Sequence, residues 1–330
     1  MEILSLLRCP ACRGELSSEP EGLRCPACAR LYEVVHGVPD FRPEPPDRPR
    51  HGELCLKVME RWADSSYREL WDLCHPGEAD ALGRLWREHE ELAPQRGERR
   101  WDEIARAAQA AGLALPGGGA ALDIGCGMGS AVFALARRAR LAIGLDIMLT
   151  DLLLAKKRLA EAGIANAAFI CGSGIELPLR DECLDVLNAT DVVEHMPDQQ
   201  RFLAEARRVM RAGGMFFFNS PNRFSLFSPE PHVRLWGVGW LPRRWMEPYV
   251  EWRLGKPYRG KRLLSLSELR RLLRATFGPA FATWAFVPRR GLRGAAARLL
   301  GPLAKPILPQ HNVLAWKATP GARGPCARRW

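Results

Sequence analysis

Two hydrophobic patterns alternate through the middle of the chain. Short apolar runs, typical of buried strands, are separated by longer segments whose apolar residues recur three or four positions apart, as in amphipathic helices. The runs predict strands at 120–125, 141–147, 167–172, 184–190 and 214–220, and the segments predict helices at 130–139, 150–163 and 201–214. Thr150 is the predicted N-cap of the second helix, and Gly163 is its predicted stop. This alternation implies right-handed crossovers and a parallel sheet.

Helical patterns also flank this region. Residues 53–93 are charged and helical in pattern, with Trp62, Trp71 and Trp86 among them. A helix at 99–115 should stop at Pro116. The β/α pattern resumes after residue 262 with a helix at 266–277 and strands at 281–287 and 312–318.

Composition divides the chain into three units and a basic tail. The predicted units are a compact N-terminal segment, a Pro-rich linker with its helical connector, and the β/α region, at 1–42, 43–98 and 99–318, with the tail at 319–330. Two insertions interrupt the β/α region: an aromatic segment at 222–262 and a basic amphipathic segment at 289–310.

The excess of basic over acidic residues is confined to the C-terminal end of the chain. Lysine and arginine number 48 against 37 aspartates and glutamates, which gives a net charge of +11. No acid follows Glu268, whereas 12 lysines and arginines do, so the chain up to Glu268 is close to neutral. A protein that coats nucleic acid along its whole surface is therefore excluded.

Two identical cysteine pairs near the start predict a metal site. Cys9-Pro-Ala-Cys12 and Cys25-Pro-Ala-Cys28 have the spacing of two zinc knuckles, which together give four thiolates and no open coordination position. We expect structural zinc, which would supply much of the folding energy of so small a unit. Disulfides or free thiols are the alternative interpretation.

This segment resembles the zinc-ribbon module that is attached to several methyltransferases or acts as their activating subunit. The phrase Tyr32-Glu-Val-Val-His-Gly-Val-Pro39 after the second knuckle is part of that resemblance.

A glycine-rich turn lies between the first predicted strand and its helix. Gly125, Gly127 and Gly129 allow the backbone to approach a ligand closely, and the helix N-terminus favours an anion. Asp146 ends the next strand, where a carboxylate can accept both hydroxyls of a ribose. The third glycine comes one place too early for a dinucleotide fingerprint.

The turn Leu122-Asp-Ile-Gly-Cys-Gly-Met-Gly129 instead resembles the first motif of class I S-adenosylmethionine (SAM) methyltransferases of the small-molecule and quinone-biosynthesis type. Matches continue through 172–198 and to Ser220-Pro-Asn222. The resemblance implies a Rossmann-like, seven-stranded, mostly parallel sheet with flanking helices and its last strand antiparallel, beside the small zinc ribbon. It implies that SAM binds at Asp123, Gly125, Cys126, Gly127, Gly129, Asp146, Ile147, Ser173, Gly174 and Asp191.

One residue after the third strand bears on cofactor binding, and one after the fourth strand bears on catalysis. Relatives commonly place an aspartate for the adenine amino group where this chain has Ser173. His195, which follows the fourth strand, is the candidate general base, or else a histidine that caps the next turn. Asp191 and Glu194 share its loop and could orient a substrate or stabilise the following helix N-terminus.

The insertions bear on the acceptor. The aromatic segment 222–262 predicts a lid or wall for a flat or apolar acceptor, or a helical cap with its own small core. In 289–310, Arg290, Arg293 and Arg298 share one helical face, which could meet an anionic membrane, RNA phosphates or only solvent.

These observations predict a SAM-dependent methyltransferase with a small or lipid-like acceptor and a structural zinc ion. One alternative is an rRNA or tRNA base methyltransferase that contacts RNA through the ribbon and the basic region 289–330. Another is a non-catalytic scaffold. The N-terminal residues lack a signal-peptide pattern, so we expect a cytoplasmic protein, with the inner face of the membrane as one site of contact.

Overall fold

The computed structural model describes residues 2–43, 50–75, 92–285 and 305–318. The predicted face of Arg290, Arg293 and Arg298, the tail 319–330 and Trp86 lie outside these ranges. No helix within the described ranges is both long and apolar enough to cross a membrane.

The N-terminal segment forms two small antiparallel sheets around the cysteine pairs. The first contains β1 (Ser17–Glu19), β2 (Gly22–Arg24) and β3 (Leu31–Tyr32), and the second contains β4 (Val34–Val35) and β5 (Val38–Pro39). The four cysteines are free, and their sulfur atoms lie within 4.8 Å of one another. The Sγ atoms of Cys9 and Cys28 are 3.6 Å apart and those of Cys12 and Cys25 are 3.4 Å apart. A tetrahedral zinc ion with bonds of about 2.3 Å needs sulfurs about 3.8 Å apart, so this cluster fits structural zinc.

Two connector helices follow, α1 (Glu53–Arg61) and α2 (Tyr67–Cys74). Ser66 and Glu69 form a capping box at the start of α2, which satisfies backbone N–H groups there. Trp62 donates from its indole nitrogen to the Leu153 carbonyl at 2.9 Å, so the connector is tied to the larger domain.

The larger domain is built on a seven-stranded sheet. Its strands are β6 (Ala120–Ile124), β7 (Leu141–Asp146), β8 (Ala167–Cys171), β9 (Leu184–Ala189), β10 (Met210–Pro221), β11 (Phe281–Ala285) and β12 (Gln310–Trp316). They lie in the order β11-β12-β10-β9-β6-β7-β8, and β12 is antiparallel to both of its neighbours, whereas the pairs from β10 to β8 are parallel. The predicted sheet and its antiparallel last strand are confirmed.

Helices cover both faces of the sheet. They are α3 (Ala93–Ala110), α4 (Ser130–Ala136), α5 (Leu149–Glu161), α6 (Gln199–Val209) and α8 (Leu266–Phe277), whereas α7 (Arg243–Leu254) lies in the aromatic insertion and packs in a separate small core. One apolar core packs the five helices from α1 through α5 against the sheet. The core on the other face joins α6 and α8 with the ribbon, through residues such as Leu7, Tyr32 and Phe41. The ribbon is therefore packed into the domain rather than tethered beside it.

The predicted boundaries were wrong at several helices: the helix predicted at 99–115 spans Ala93–Ala110, so it ends before Pro116, and the helix predicted at 130–139 ends at Ala136. Thr150 lies inside α5, and Met148 is the N-cap, because the chain turns into the helix directly after Asp146. Helix 201–214 ends at Val209, since Met210 already pairs with Leu184 as the start of β10. Gly163, with φ of +71°, follows the end of α5 as predicted.

The ribbon docks on the loop after β8 through polar contacts as well. Arg13 donates to the Leu177 carbonyl at 2.9 Å and to the Glu205 carboxylate at 2.8 Å. Although burial raises the pKa of Glu205, hydrogen bonds from Arg208 and Arg13 hold it below its usual value. Backbone bonds from Arg8 to Pro178 and from Arg180 to Leu6 extend the contact.

Replacing Arg13 with glutamine should lower the free energy of unfolding by about 1.5–3 kcal/mol, because it removes a charge-assisted hydrogen bond to the buried carboxylate of Glu205. Urea denaturation in the presence of zinc measures this change. Arg24→Gln is the matched control: its partner Glu19 is in the ribbon and both side chains are at least 30% exposed, so a clearly smaller loss is expected. Equal losses for the two variants would contradict the docking role of Arg13.

Candidate functional site

The carboxyl ends of β6, β7, β8 and β9 lie side by side along one edge of the sheet, because these strands pair in parallel and in register. The loops that follow them therefore border a common cleft, as is usual for ligand sites of parallel sheets. Those loops carry His195 and eight of the ten residues that the sequence predicts for the cofactor, whereas Asp123 and Asp146 lie at the ends of β6 and β7 themselves.

The glycine turn after β6 is held in a conformation that side chains disfavour. Gly125 has φ of +69°, and a Cβ there would lie 2.3 Å from a methyl carbon of Val192. Gly127 has φ of +47°, but no atom lies within 4 Å of a Cβ built there, so its backbone faces open space. The turn thus exposes main chain to the cleft, while Cys126 beside it is buried.

Asp146 links the turn to the loop after β7. Its carboxylate accepts from the Gly127 amide at 2.9 Å and from the Met148 amide at 3.0 Å. Ile147 and Met148 are 55% and 51% exposed, which is unusual for apolar side chains at the end of a buried strand. The arrangement places a fixed carboxylate beside an exposed apolar surface.

The N-terminal ribbon contacts the loop that follows β7. The end of the ribbon lies alongside the end of β8, where the Phe41 amide donates to the Cys171 carbonyl at 2.8 Å. Arg42 donates to the buried carboxylate of Asp40 at 2.7 Å and to the Ile147 carbonyl at 3.2 Å. The position of Ile147 therefore depends on the ribbon.

Asp123 lies beneath the glycine turn, where it is buried. Its carboxylate accepts from the Asn188 side chain at 2.7 Å, and Asn188 in turn accepts from Arg100 at 3.0 Å. Burial raises the pKa of Asp123 to about 7, an effect that the hydrogen bond from Asn188 and the charge of Arg100 only partly offset. This network holds the ends of β6 and β9 together.

Ser173 and Gly174 follow β8. The Ser173 hydroxyl accepts from the Ile175 amide at 3.4 Å, and the side chain is half-buried at the cleft. A Cβ on Gly174 would lie 3.1 Å from Ile124 and Phe202, so this position packs against the core. The two residues lie next to each other but face different surroundings.

Asp191 lies at the rim after β9, with a left-handed backbone (φ of +54°). Its amide donates to Asn219 at 2.9 Å, and its carboxylate accepts from the Gln310 side chain at 3.0 Å. Desolvation within the cleft raises the pKa of Asp191, although the carboxylate is still exposed at its outer side. Asn219 of β10 therefore fixes the backbone of Asp191, and Gln310 of β12 orients its carboxylate.

A group of acids and histidines lies beside Asp191. Nε2 of His195 and Nε2 of His232 are 3.2 Å apart. Burial, followed by the charges of His232 and Lys261, lowers the pKa of His195. Glu194 is 1% exposed, and burial raises its pKa to about 8. The aromatic insertion, which carries His232, therefore reaches the loop after β9 and borders the same cleft.

The insertion also has a small core of its own, formed by Val238, Met246, Val250 and Tyr258. Four of its tryptophans are nevertheless exposed: Trp236, Trp240, Trp245 and Trp252, by 47%, 47%, 55% and 75%. The insertion can therefore be both a helical cap with its own small core and a wall of the cleft.

Sequence reasoning missed several residues of this cleft. Arg100 comes from a helix that precedes the sheet, and His232 and Glu230 come from the middle of the insertion. Gln310 begins β12. A buried arginine has no periodic signature, and the pairing of His195 with His232 depends on how the insertion folds back.

Known families match two parts of the chain. The methyltransferase domain family matches residues 122–218, and the Trm112p-like protein family matches residues 2–37. A probable S-adenosylmethionine-dependent methyltransferase of Mycolicibacterium smegmatis is 38% identical over 33% of this chain and 40% of that protein. A ubiquinone biosynthesis O-methyltransferase of Methylobacterium nodulans is 36% identical over 37% of this chain and 49% of that protein. The chain thus spans less than half of the length of these relatives.

Among solved structures, the complex of the Haloferax volcanii Trm112 methyltransferase activator with a putative methyltransferase is similar over 69% of this chain and 96% of that chain. Identity is 16% and the TM-score is 0.43, so this likeness says nothing about function. The ten cofactor residues predicted from the sequence all lie within residues 122–218, the range that matches the methyltransferase domain family. Residues 122–218 are thus similar to the methyltransferase domain family, and residues 2–37 are similar to the Trm112p-like family.

Proposed function

We propose that this protein transfers a methyl group from SAM to a small or lipid-like acceptor. The observation that carries the proposal is the pairing of the open backbone at Gly127 with the anchored carboxylate of Asp146, within the part of the chain that matches the methyltransferase domain family. When bound, SAM supplies a methyl group on a positively charged sulfur.

Asp146 is suited to hold the ribose. A carboxylate offers about four lone-pair positions, and two of those of Asp146 are taken by the amides of Gly127 and Met148. The remaining positions can accept two adjacent hydroxyl groups, while the amides keep the carboxylate from rotating. This rigidity lowers the entropy cost of binding.

The other predicted residues extend the site on both sides of Asp146. Gly125, Gly127 and Gly129, with Cys126, would hold the methionine part, and Asp123 would organise their turn from below. Ile147 offers an exposed apolar surface for the adenine ring, and the Ser173–Gly174 segment would meet the amino group of that ring. Asp191 lies at the far rim, next to the acceptor side.

The acceptor would enter beside the insertion. His195 and Asp191 face this side of the cleft, and burial lowers the pKa of His195, which favours its neutral imidazole. Since Nε2 of His195 faces His232, the two rings act as a pair rather than as one isolated base. Proximity and the exclusion of water supply much of the rate enhancement in such a cleft.

Two observations support a lipid-like acceptor. The exposed tryptophans of the insertion give it an amphipathic outer surface, of the kind found at interfaces between water and lipid. One relative is named as a ubiquinone biosynthesis O-methyltransferase. RNA remains the alternative acceptor, favoured by the 12 basic residues that follow Glu268.

Replacing Asp146 with asparagine should weaken SAM binding about 10- to 100-fold, because a charged hydrogen bond of about 1.5–3 kcal/mol is lost. Titration calorimetry of the zinc-loaded protein measures this. Asp102→Asn, which alters an exposed aspartate on α3, is the control and should bind SAM like the wild type. If the wild type itself does not bind SAM, the proposed function is wrong.

The acceptor class can be tested with SAM labelled in its methyl group. The purified protein is incubated separately with a lipid extract and with RNA, at a SAM concentration that does not saturate the wild type, and Asp146→Asn serves as the control with weakened SAM binding. We expect label in the lipid fraction. Label confined to RNA, together with binding that weakens steeply as salt rises, would favour the alternative. Binding of SAM with no transfer to either fraction would favour a scaffold.

A further inference from the structure

One cluster of possible metal ligands lies outside the ribbon at the acceptor side of the cleft. Glu194 and His195 belong to a short 3₁₀ turn, Val193–His195, after β9, whereas His232 belongs to the insertion. One ligand atom from each of the three side chains lies within 4.8 Å of the other two. We call these three residues the Glu-His-His cluster.

The buried member of this cluster has no partner. Glu194 is 1% exposed, and neither of its carboxylate oxygens makes a hydrogen bond within the described part of the chain. Burying an ionised carboxylate without a hydrogen bond or an opposite charge is costly, so without a cation the group is driven towards its neutral form. A cation held between Glu194 and the two histidines would remove that cost.

His232 is oriented as a metal-binding histidine is. Its Nδ1 lies 2.5 Å from a carboxylate oxygen of Glu230, which is itself buried and also accepts from the Tyr258 hydroxyl at 3.0 Å. The other Glu230 oxygen accepts from the backbone amides of His232 and Val233, each at 2.8 Å. An anionic Glu230 therefore fixes a proton on Nδ1 of His232, which leaves a lone pair on Nε2.

That lone pair points at the second histidine. Two imidazole nitrogens bound to one cation at about 2.0–2.1 Å lie about 2.9–3.4 Å apart for bond angles near 90–110°. The observed separation of the two Nε2 atoms is 3.2 Å. A direct N–H···N hydrogen bond would fit the same distance, but it would leave both oxygens of Glu194 unpaired.

We propose that the Glu-His-His cluster binds a divalent transition-metal cation such as Zn²⁺, with Glu230 as the positioning residue behind His232. Two imidazoles and one carboxylate favour such a cation over Mg²⁺ or Ca²⁺, which prefer oxygen ligands. Three protein ligands leave a coordination position open, and His195 is exposed on that side.

The open coordination position of the cation is available to the methyl acceptor. This part of the inference rests on the proposed function: an acceptor that carries a hydroxyl or phenol oxygen would bind the cation through that oxygen and be oriented by it. His195 is then a ligand rather than the general base expected from the sequence. Cation binding itself does not depend on SAM.

The test is the zinc content and zinc affinity of the full chain, with Zn²⁺ alone as the probe. After loading and desalting, the wild type should retain a second zinc ion besides the one in the ribbon. Glu194→Gln and His232→Gln should each retain only the ribbon ion. Glu230→Gln should bind the second ion about 10- to 100-fold more weakly, the usual cost of losing such a supporting carboxylate.

His75→Gln, which alters a histidine at the end of α2, is the control and should keep both ions. Circular dichroism checks that each variant is folded. Retention of a single ion by the wild type, or of both ions by His232→Gln, would overturn the proposal. Calorimetry with SAM separates the two hypotheses: a second zinc ion without SAM binding would leave the metal site standing and remove the proposed function.

Discussion

The site depends on the parallel pairing of β6, β7, β8 and β9. Because these strands point the same way, their carboxyl ends meet at one edge, and loops from distant parts of the sequence become neighbours. The pairing fixes the position of Asp146, because its carboxylate accepts hydrogen bonds from backbone amides of two of these loops. A change of register at β7 would separate those bonds and dismantle the turn around Gly127.

The ribbon adds a second constraint at the same edge. It extends the pairing beyond β8 through Phe41, supports the loop of Ile147 through Arg42, and contacts the loop after β8 through Arg13. A unit with so few core residues owes much of its own stability to its metal cluster. The geometry of the cleft therefore depends on four thiolates that lie outside it, which gives the N-terminal cysteine pairs a physical reason to share one chain with the sheet.

Local patterns predicted the parts of this molecule that depend on local structure. The alternation of strands and helices gave the sheet, and the turn Gly125–Gly129 with Asp146 gave the edge where the loops meet. Thr150 failed as an N-cap because the connection between β7 and α5 is shorter than the apolar pattern indicates. Contacts across the fold had no local signal: His232 lies 37 residues from His195, and Arg100 reaches Asn188 across 88 residues. Such pairs follow from tertiary packing, which periodicity does not encode.

The most direct measurement of the central claim is a crystal structure of the zinc-loaded protein with S-adenosylhomocysteine, the product left after methyl transfer. The account predicts that the ribose hydroxyls contact the Asp146 carboxylate and that the amino-acid part lies against the turn at Gly125–Gly129. The sulfur should face the side of the cleft that carries Asp191 and His195. Binding elsewhere on the protein, or a ligand in this cleft that leaves Asp146 without a contact, would contradict it.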